Sequence, residues 1–234
     1  MTDDEVRARI AAVPHWYHPI EVRPGIVTPG ANDAPAVLRA LALPDACRGL
    51  RVLDLGTRDG FFAFELERRG AEVVAIDYVA ATESGFAVAA ELLGSRVTYL
   101  QRNLYELDAA ELGTFDIVLF LGLLYHLPDP LGALRVVRNL TRQRMLLETL
   151  VLDFGGEMDA LPLMRFFAGS SWVGDPTNYW GPNVRCVEDM LGETEFASRR
   201  VVRIGDRGIF DCEAIASPDA AYYMEIATGR RAPQ

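Results

Sequence analysis

Residues 50–60, with the sequence Leu-Arg-Val-Leu-Asp-Leu-Gly-Thr-Arg-Asp-Gly, carry the strongest structural signal in the chain. The apolar run at 50–55 predicts a buried strand, and Gly56 and Gly60 predict a tight turn directly after it. The next apolar run ends at Asp77. Glycines let backbone approach a ligand, and a carboxylate ending the second strand can accept hydrogen bonds from a ribose. The pattern predicts a nucleotide site on a doubly wound sheet, with an ordinary strand–turn–helix unit as the alternative.

The turn chemistry separates the kinds of nucleotide. A dinucleotide fold uses Gly-x-Gly-x-x-Gly, whereas here three residues stand between Gly56 and Gly60. Asp54 would also place negative charge close to a pyrophosphate. A phosphate loop is excluded because the chain contains no Gly-Lys-Ser/Thr. A carboxylate beside the turn suits a ligand with a cationic amino-acid end and no phosphate, such as S-adenosylmethionine.

Asp54, Gly56 and Gly60 resemble the first motif of the class I methyltransferases, Asp/Glu-x-Gly-x-Gly-x-Gly, with Arg58 in place of the middle glycine. The resemblance implies a Rossmann-like fold and S-adenosylmethionine as cofactor. It also implies cofactor contacts at the carboxyl ends of the strands, although Asn103 is equally explained as a turn residue. The expected cofactor-binding residues are Asp54, Gly56, Thr57, Gly60, Asp77, Asn103, Leu104 and Leu121.

Composition limits the partners. The chain has 234 residues, of which 50% are hydrophobic, which is enough for one domain with a full core. The net charge is −10 and all 23 basic residues are arginine, which disfavours nucleic acid because phosphate contacts need a basic face. No apolar run is long enough to span a membrane, and the acidic N-terminus argues against export. Three widely spaced cysteines fit the cytoplasm and show no metal-ligand spacing, and a homo-oligomer stays open.

Strands alternate with amphipathic helices along most of the chain. This predicts an α/β fold with a doubly wound, mostly parallel seven-stranded sheet, helices on both faces and a C-terminal antiparallel hairpin. The predicted strands are 50–55, 72–76, 96–100, 115–121, 144–150, 196–204 and 207–216. The predicted helices are 5–12, 36–43, 60–69, 83–93, 130–140 and 186–192.

Two segments interrupt the alternation, a Pro- and Gly-rich stretch at 15–35 and an aromatic-rich stretch without clear strand periodicity at 153–183. Long loops in compact domains are usually functional. We therefore interpret 1–234 as a single domain with an N-terminal segment at 1–45 that acts as a lid and an aromatic cap at 153–183. The expected substrate-binding residues of these two segments are Trp16, Tyr17, His18, Phe166, Trp172, Tyr179 and Trp180.

Tyr125 and His126 follow the fourth predicted strand of the sheet, where class I enzymes present the transferable methyl group. Histidine titrates near neutral pH, so His126 is the candidate general base, with a structural histidine as the alternative. Tyr125 would line the same face. Glu148, at the end of the next strand, would orient His126 or bind a substrate hydroxyl. The pair His15 and His18 lacks a nearby carboxylate, which favours a substrate clamp over a metal site.

A closer resemblance is to the tRNA wobble-uridine carboxymethyltransferase family, over roughly residues 50–200. It is carried by Tyr-His-Leu-Pro-Asp-Pro-Leu at 125–131, Leu-Glu-Thr-Leu-Val at 147–151 and Asn-Tyr-Trp-Gly-Pro-Asn at 178–183. That family transfers a carboxymethyl group from carboxy-S-adenosylmethionine and holds the extra carboxylate with basic and aromatic side chains upstream of the first motif. This chain has no lysine there, which leaves Arg23 as the candidate cation. The family's N-terminal extension and the arginines after its Tyr-His pair are also missing.

These features together predict methyl transfer from S-adenosylmethionine to a hydroxyl or amine of a small molecule, for example a natural product or a sugar-bearing acceptor. The first alternative is carboxymethyl transfer from carboxy-S-adenosylmethionine to a tRNA base. The second is a non-catalytic module that binds a nucleotide or a protein partner.

Overall fold

A seven-stranded sheet forms the centre of the computed structural model, which describes residues 1–215. The strands are β1 (Glu21–Arg23), β2 (Ile26–Val27), β3 (Arg51–Leu55), β4 (Glu72–Asp77), β5 (Thr98–Gln101), β6 (Phe115–Leu121), β7 (Thr141–Leu150), β8 (Met164–Phe166), β9 (Trp180–Pro182), β10 (Phe196–Ile204) and β11 (Arg207–Ala214). The helices are α1 (Asp3–Ala11), α2 (Ala34–Ala40), α3 (Phe61–Arg68), α4 (Phe86–Leu93), α5 (Ala109–Leu112), α6 (Pro130–Leu140) and α7 (Val184–Glu193).

The strand order in the central sheet is β10-β11-β7-β6-β3-β4-β5. Neighbouring strands from β7 to β5 are parallel, whereas β11 is antiparallel to both β7 and β10. This confirms the predicted fold class and its C-terminal antiparallel hairpin. From β3 the chain adds β4 and β5 on one side, and it then returns to add β6 and β7 on the other side of β3. The strand order therefore reverses between β3 and β6, which is where doubly wound sheets bind their ligands.

The central strands are buried on both faces because helices cover each side. Along β6, Ile117 and Leu119 belong to one apolar cluster, and Val118 and Phe120 to the other. This alternation follows from the two-residue repeat of a strand. Helices α1 to α4 pack on the first face, and α6 and α7 pack on the second. The predicted placement of helices on both faces of the sheet is therefore confirmed.

Several element bounds match the prediction and others shift by a few residues. The bounds of β6, α6 and β10 are as predicted. Helix α2 begins two residues early because the Asp33 carboxylate accepts the N–H of Ala36 and caps the helix there. Strand β7 begins at Thr141, since its first residues are polar and conceal the strand pattern. Strand β11 ends at Ala214. Residue 216 of the predicted strand and residues 216–234 of the predicted domain lie outside the described residues.

Four short strands and one short helix were not predicted. Strands β1 and β2 form an antiparallel pair in the N-terminal segment, and β8 and β9 form another in the aromatic cap. Helix α5 is a single turn. The aromatic cap, which shows no clear strand periodicity in its sequence, thus contains two short strands. Elements of two to four residues are too short to show a periodicity, so their pairing depends on contacts that are distant in sequence. Within residues 1–215 no helix is both long and apolar enough to cross a bilayer.

The Asp59 carboxylate joins the N-terminal segment to the loop after β3. Its Oδ2 accepts the backbone N–H groups of Tyr17 at 2.6 Å and His18 at 2.9 Å. Its Oδ1 accepts the N–H of Gly85, just before α4, at 2.9 Å. The residue is fully buried. The segment at Tyr17 and His18 and the start of α4 are therefore both fixed to one side chain in the turn between β3 and α3.

Asp59→Ala should lower the free energy of unfolding by roughly 3 kcal/mol, because each buried N–H left without an acceptor costs about 1–3 kcal/mol. The amides of Tyr17 and His18 should also exchange with deuterium much faster than in the wild type. Urea denaturation and hydrogen exchange measure the two effects.

The matched control is Asp33→Ala, which removes an exposed helix cap and should cost about 1 kcal/mol. It should leave exchange at Tyr17 and His18 unchanged. Equal protection of these two amides in Asp59→Ala and the wild type would contradict the anchoring role.

Candidate active site

The loop between β3 and α3 has the backbone shape of a close-approach turn. Gly56 and Gly60 have φ angles of 70° and 91°, which glycine adopts without strain. Arg58 stands where the class I motif has its middle glycine, and its φ is 53°. Its backbone N–H donates to Asp77 Oδ2 at 2.9 Å. Arg58 therefore takes the left-handed conformation that a glycine would favour, at a cost of about 1–2 kcal/mol.

Asp54, the fourth residue of β3, is a buried carboxyl group. The Thr57 hydroxyl donates to its Oδ2 at 2.7 Å. Burial, with a smaller contribution from the neighbouring Asp77 carboxylate, raises the pKa of Asp54 to about 7. A cationic group placed beside Asp54 would favour the ionised carboxylate. The chemistry of this position therefore suits a ligand that carries an ammonium.

Asp77 ends β4 and is also buried. Its carboxylate accepts the N–H of Arg58 at 2.9 Å and, more weakly, the N–H of Val79 at 3.4 Å. A carboxylate offers about four lone-pair positions, so two remain for ligand hydroxyls. Asp77 therefore has the acceptor capacity that the predicted ribose contact requires.

The predicted adenine side of the site follows β5. Asn103 Oδ1 accepts the N–H of Tyr105 at 3.1 Å and caps the short turn Leu104–Glu106. The turn role considered for Asn103 is thus present in the structure, and its adenine contact stays a prediction. Leu104 is buried and Leu121, at the end of β6, is half-buried. Both have the apolar character expected beside a base.

The four predicted substrate residues of the N-terminal segment lie in different environments. Trp16 is buried and donates its indole N–H to the Ile10 carbonyl at 3.0 Å. Arg23 forms an ion pair with Asp3 in α1 at 3.1 Å. Burial lowers the pKa of His18 to about 4, so this imidazole is neutral. Only Tyr17 exposes a large part of its side chain, 42%.

These placements correct two of the predictions. Trp16 is a packing residue, because its ring lies in the core that α1 and α4 share and its only polar atom is bonded to the backbone. Arg23 is engaged by α1, so it is not the free cation that a donor carboxylate would need.

At the end of β7, Glu148 pairs with Arg207, the first residue of β11. The Arg207 guanidinium binds both Glu148 carboxylate oxygens, with Nη2 to Oε2 at 3.0 Å. Arg207 Nη2 also lies 3.1 Å from the Tyr125 hydroxyl, and the guanidinium stacks 4.6 Å from the centre of the Tyr125 ring. The Glu148 carboxylate is thus paired with Arg207, and no hydrogen bond joins it to His126 in the described residues, so its expected role in orienting His126 stays a prediction. Burial raises the pKa of the Tyr125 phenol, which keeps it protonated.

Arg207 was not found by sequence reasoning. It lies 59 residues from Glu148 and was assigned only to a strand. The available signal was its place as the first residue of the last strand, which is antiparallel to β7. The first residue of such a strand lies at the same sheet edge as the carboxyl ends of the parallel strands.

His126 lies in a short turn, Leu124–His126, that follows β6. Its Nδ1 is 3.1 Å from the Thr177 carbonyl oxygen and 3.0 Å from the Thr177 hydroxyl. Its ring centre is 4.1 Å from that of Tyr125. Burial lowers the pKa of His126, so the imidazole is neutral at pH 7 and can accept a proton.

The aromatic cap is fixed to this turn. Tyr179 donates its backbone N–H to the Tyr125 carbonyl at 2.9 Å, and Trp180 donates its indole N–H to the Leu127 carbonyl at 3.0 Å. Inside the cap, Trp172 stacks on the buried Phe167 at 4.9 Å. Phe166 is 57% exposed beside Trp180. The cap thus brings Tyr179 and Trp180 to the turn that carries His126, and it leaves Phe166 at its surface.

Comparison with known proteins places this arrangement in a family. The chain matches the methyltransferase domain family over residues 31–172, more than half of its length. It is 32% identical over 156 residues to the tRNA U34 carboxymethyltransferase of Actinobacillus succinogenes, which is 64% of this chain and 46% of that protein. It is 39% identical over 85 residues to the ubiquinone biosynthesis O-methyltransferase of Hahella chejuensis, 36% of each chain. The matched stretches thus span less than half the length of these two relatives.

Solved structures show the same fold. The N-terminal domain of EvdMO1 with SAH (S-adenosylhomocysteine) bound has a TM-score of 0.68 at 20% identity, covering 93% of this chain and 98% of that one. The 1,6-didemethyltoxoflavin-N1-methyltransferase of Burkholderia thailandensis has a TM-score of 0.60 at 20% identity, covering 91% and 86%. The sheet order, the loop after β3 and the family match lead to one conclusion. The chain belongs to the methyltransferase domain family, within the class I enzymes that use S-adenosylmethionine.

Proposed function

We propose that the protein transfers a methyl group from S-adenosylmethionine to a hydroxyl or amine of a small molecule. The observation that carries this proposal is the neutral imidazole of His126, held on the turn after β6 beneath the aromatic cap. This turn lies at the carboxyl edge of the sheet, beside the point where the strand order reverses. A proton acceptor is therefore positioned where the acceptor molecule would meet the donor.

The residues around β3 and β4 would hold the cofactor. Asp54 would pair with its ammonium, Asp77 would accept its ribose hydroxyls, and the left-handed turn at Gly56 would let the backbone approach it. When bound, S-adenosylmethionine supplies a methyl group attached to a cationic sulfur, and the sulfur keeps the electron pair of the carbon–sulfur bond when that bond breaks. The buried carboxyl groups of Asp54 and Asp77 fit such a cationic ligand.

His126 would take the proton that the acceptor loses as its oxygen or nitrogen bonds to the methyl carbon. A positioned base of this kind contributes about 10²–10⁴-fold to the rate. Tyr125 would border the same space, with its hydroxyl fixed by Arg207. Alignment of acceptor and donor would supply a further large share, on the order of 7–11 kcal/mol in well-oriented systems.

Three features support a small acceptor. The net charge of −10 disfavours a polyanion. The cap presents Tyr179, Trp180 and the exposed Phe166, whose flat apolar faces suit a planar or sugar-bearing ring. Similar proteins are named for O-methyl transfer in ubiquinone biosynthesis and for N1-methyl transfer to 1,6-didemethyltoxoflavin.

The reducing cytoplasm is the proposed location, since the cysteines Cys47 and Cys212 are buried as free thiols.

Carboxymethyl transfer is the second candidate, favoured by the carboxymethyltransferase relative and by one contact. Arg207 lies against Tyr125, beside the turn after β6, and is a cation that a donor carboxylate could use. Its charge is already matched by Glu148. A carboxylated donor would have to share Arg207 with Glu148, which places this candidate second. Tighter binding of carboxy-S-adenosylmethionine than of S-adenosylmethionine would reverse the order.

Asp54 should make cofactor binding depend on pH. Below its pKa of about 7 the free protein carries a neutral Asp54, so pairing with an ammonium must first release a proton. The affinity for S-adenosylhomocysteine should therefore fall by up to about tenfold per pH unit below pH 7 and be constant above it. Calorimetric titrations from pH 5.5 to 8.5 measure this dependence.

Asp54→Asn is the control, because it should bind S-adenosylhomocysteine weakly and its affinity should not depend on pH in this way.

The raised pKa of Asp54 should also make the stability of the free protein depend on pH. The raised pKa means that native Asp54 keeps a proton between about pH 4 and pH 7 that the unfolded chain has released. Wild-type stability should therefore fall as pH rises through that range, and Asp54→Asn should lack this component. Parallel slopes for both proteins would contradict the assignment.

His126→Gln and Asp77→Asn should separate catalysis from cofactor binding. His126→Gln should lower kcat by roughly a hundredfold or more, while the Kd for S-adenosylhomocysteine changes by less than about twofold. Asp77→Asn should raise that Kd by about tenfold, as expected for one charge-assisted hydrogen bond. Rates with an acceptor identified by screening phenols and amines, together with calorimetry, provide the test. Unchanged affinity in Asp77→Asn would exclude the ribose contact.

A further inference from the structure

The hydrogen bonds around His126 determine which of its nitrogens carries the proton. Two oxygens of Thr177 face Nδ1, the carbonyl at 3.1 Å and the hydroxyl at 3.0 Å. A carbonyl oxygen can only accept a hydrogen bond, whereas a hydroxyl can donate or accept. Whether Nδ1 carries a proton therefore depends on which group accepts the hydrogen bond that the Thr177 hydroxyl donates.

Asp175 decides the direction of that hydroxyl. The Thr177 hydroxyl oxygen lies 2.7 Å from Asp175 Oδ1, and the Thr177 backbone N–H donates to the same oxygen at 2.8 Å. These bonds from Thr177 lower the pKa of Asp175, which keeps it ionised. An ionised carboxylate cannot donate, so the Thr177 hydroxyl must. Both oxygens that face His126 Nδ1 are consequently acceptors.

We propose that Thr177 and Asp175 are positioning residues that hold neutral His126 as the Nδ1–H tautomer and keep Nε2 free as the proton acceptor. The proposal rests on the function proposed above and names two further residues of the same site. In the transfer step, the acceptor oxygen or nitrogen bonds to the methyl carbon and the carbon–sulfur bond breaks. Its electron pair remains on sulfur, and the acceptor proton passes to Nε2.

The backbone of the aromatic cap fixes the position of Thr177 relative to His126. Tyr179 and Trp180, which follow Thr177 by two and three residues, are hydrogen-bonded to the carbonyls of Tyr125 and Leu127 on either side of His126. Thr177 therefore cannot shift relative to the imidazole unless the cap separates from the turn. Because His126 and Thr177 are 51 residues apart, the tautomer is set by tertiary structure.

The charged and titratable groups that face His126 are few. Asp175 favours the imidazolium, Arg207 disfavours it, and the Tyr125 ring is in contact. A purely structural role for the histidine would be served equally well if the Thr177 hydroxyl donated to Nδ1 and the proton were on Nε2. The two roles therefore differ in one observable, the tautomer.

The test is nitrogen NMR of protein labelled with ¹⁵N-histidine, without cofactor or acceptor. The chain has only three histidines, and His126→Gln and His15→Gln assign their signals. At pH 8 the wild type should show a protonated Nδ1 and an unprotonated Nε2 for His126. Asp175→Ala should add a population with a protonated Nε2 and lower the pKa of His126. A wild-type His126 with its proton on Nε2 would overturn the proposal.

Asp159→Ala is the matched control. Asp159 also lies in the cap and also accepts backbone N–H groups, those of Phe154 at 2.7 Å and Gly155 at 3.1 Å, but it does not contact His126. Its loss should leave the His126 signals unchanged. An equal change in both variants would assign the effect to cap folding and overturn the proposal, as would unchanged signals in Asp175→Ala.

Turnover is a separate readout. Once an acceptor is found, Asp175→Ala and Thr177→Val should lower kcat in proportion to the share of His126 that moves its proton to Nε2, a smaller loss than for His126→Gln because the base itself remains. Their KM for S-adenosylmethionine should not change. If the wild type shows the predicted tautomer but turns over no acceptor, the proposed function is contradicted and the tautomer assignment stands. If it turns over an acceptor with the opposite tautomer, the tautomer assignment is contradicted and the proposed function stands.

Discussion

The buried carboxylate of Asp59 accepts three backbone N–H groups, and the arrangement of the site depends on it. It fixes residues 17 and 18 of the N-terminal segment and the start of α4 to the loop that follows β3. That loop is held in left-handed geometry at Gly56, Arg58 and Gly60. The Pro- and Gly-rich segment is thus held against the loop of the proposed cofactor site, because leaving three buried donors unpaired would be costly.

The proposed donor and acceptor sides differ in their electrostatics. On the donor side, Asp54 and Asp77 are two buried carboxyl groups in mutual repulsion, which suits a ligand that carries positive charge. On the acceptor side, Arg207 and Glu148 neutralise each other, Tyr125 is a protonated phenol, and burial lowers the pKa of His126 and favours its neutral form. A cationic donor is thereby attracted to one side, while the other presents a neutral base to a neutral acceptor.

The fold could be predicted from sequence because it depends on local patterns. Continuous apolar runs such as 115–121 and glycines at 56 and 60 indicate a parallel sheet and its ligand loop without any tertiary information. The site could be predicted only in part. Strand ends indicated Asp77 and His126 as candidates, but Asp59, Arg207 and Thr177 act on groups 26 to 82 residues away. Trp16 and Arg23 were misassigned for the same reason, since an aromatic or a cation in a loop shows its partner only after folding.

In the proposed function, the sheet edge formed by β3, β4 and β6 binds S-adenosylmethionine as a methyl donor. Calorimetric titration of the purified protein with S-adenosylhomocysteine tests it most directly, with NADH and carboxy-S-adenosylmethionine titrated in parallel. We expect one site of micromolar affinity for S-adenosylhomocysteine, no binding of NADH and no preference for the carboxylated donor. Binding of NADH alone, or of neither S-adenosyl compound, would show that Asp54, Gly56 and Asp77 do not form a site for S-adenosylmethionine.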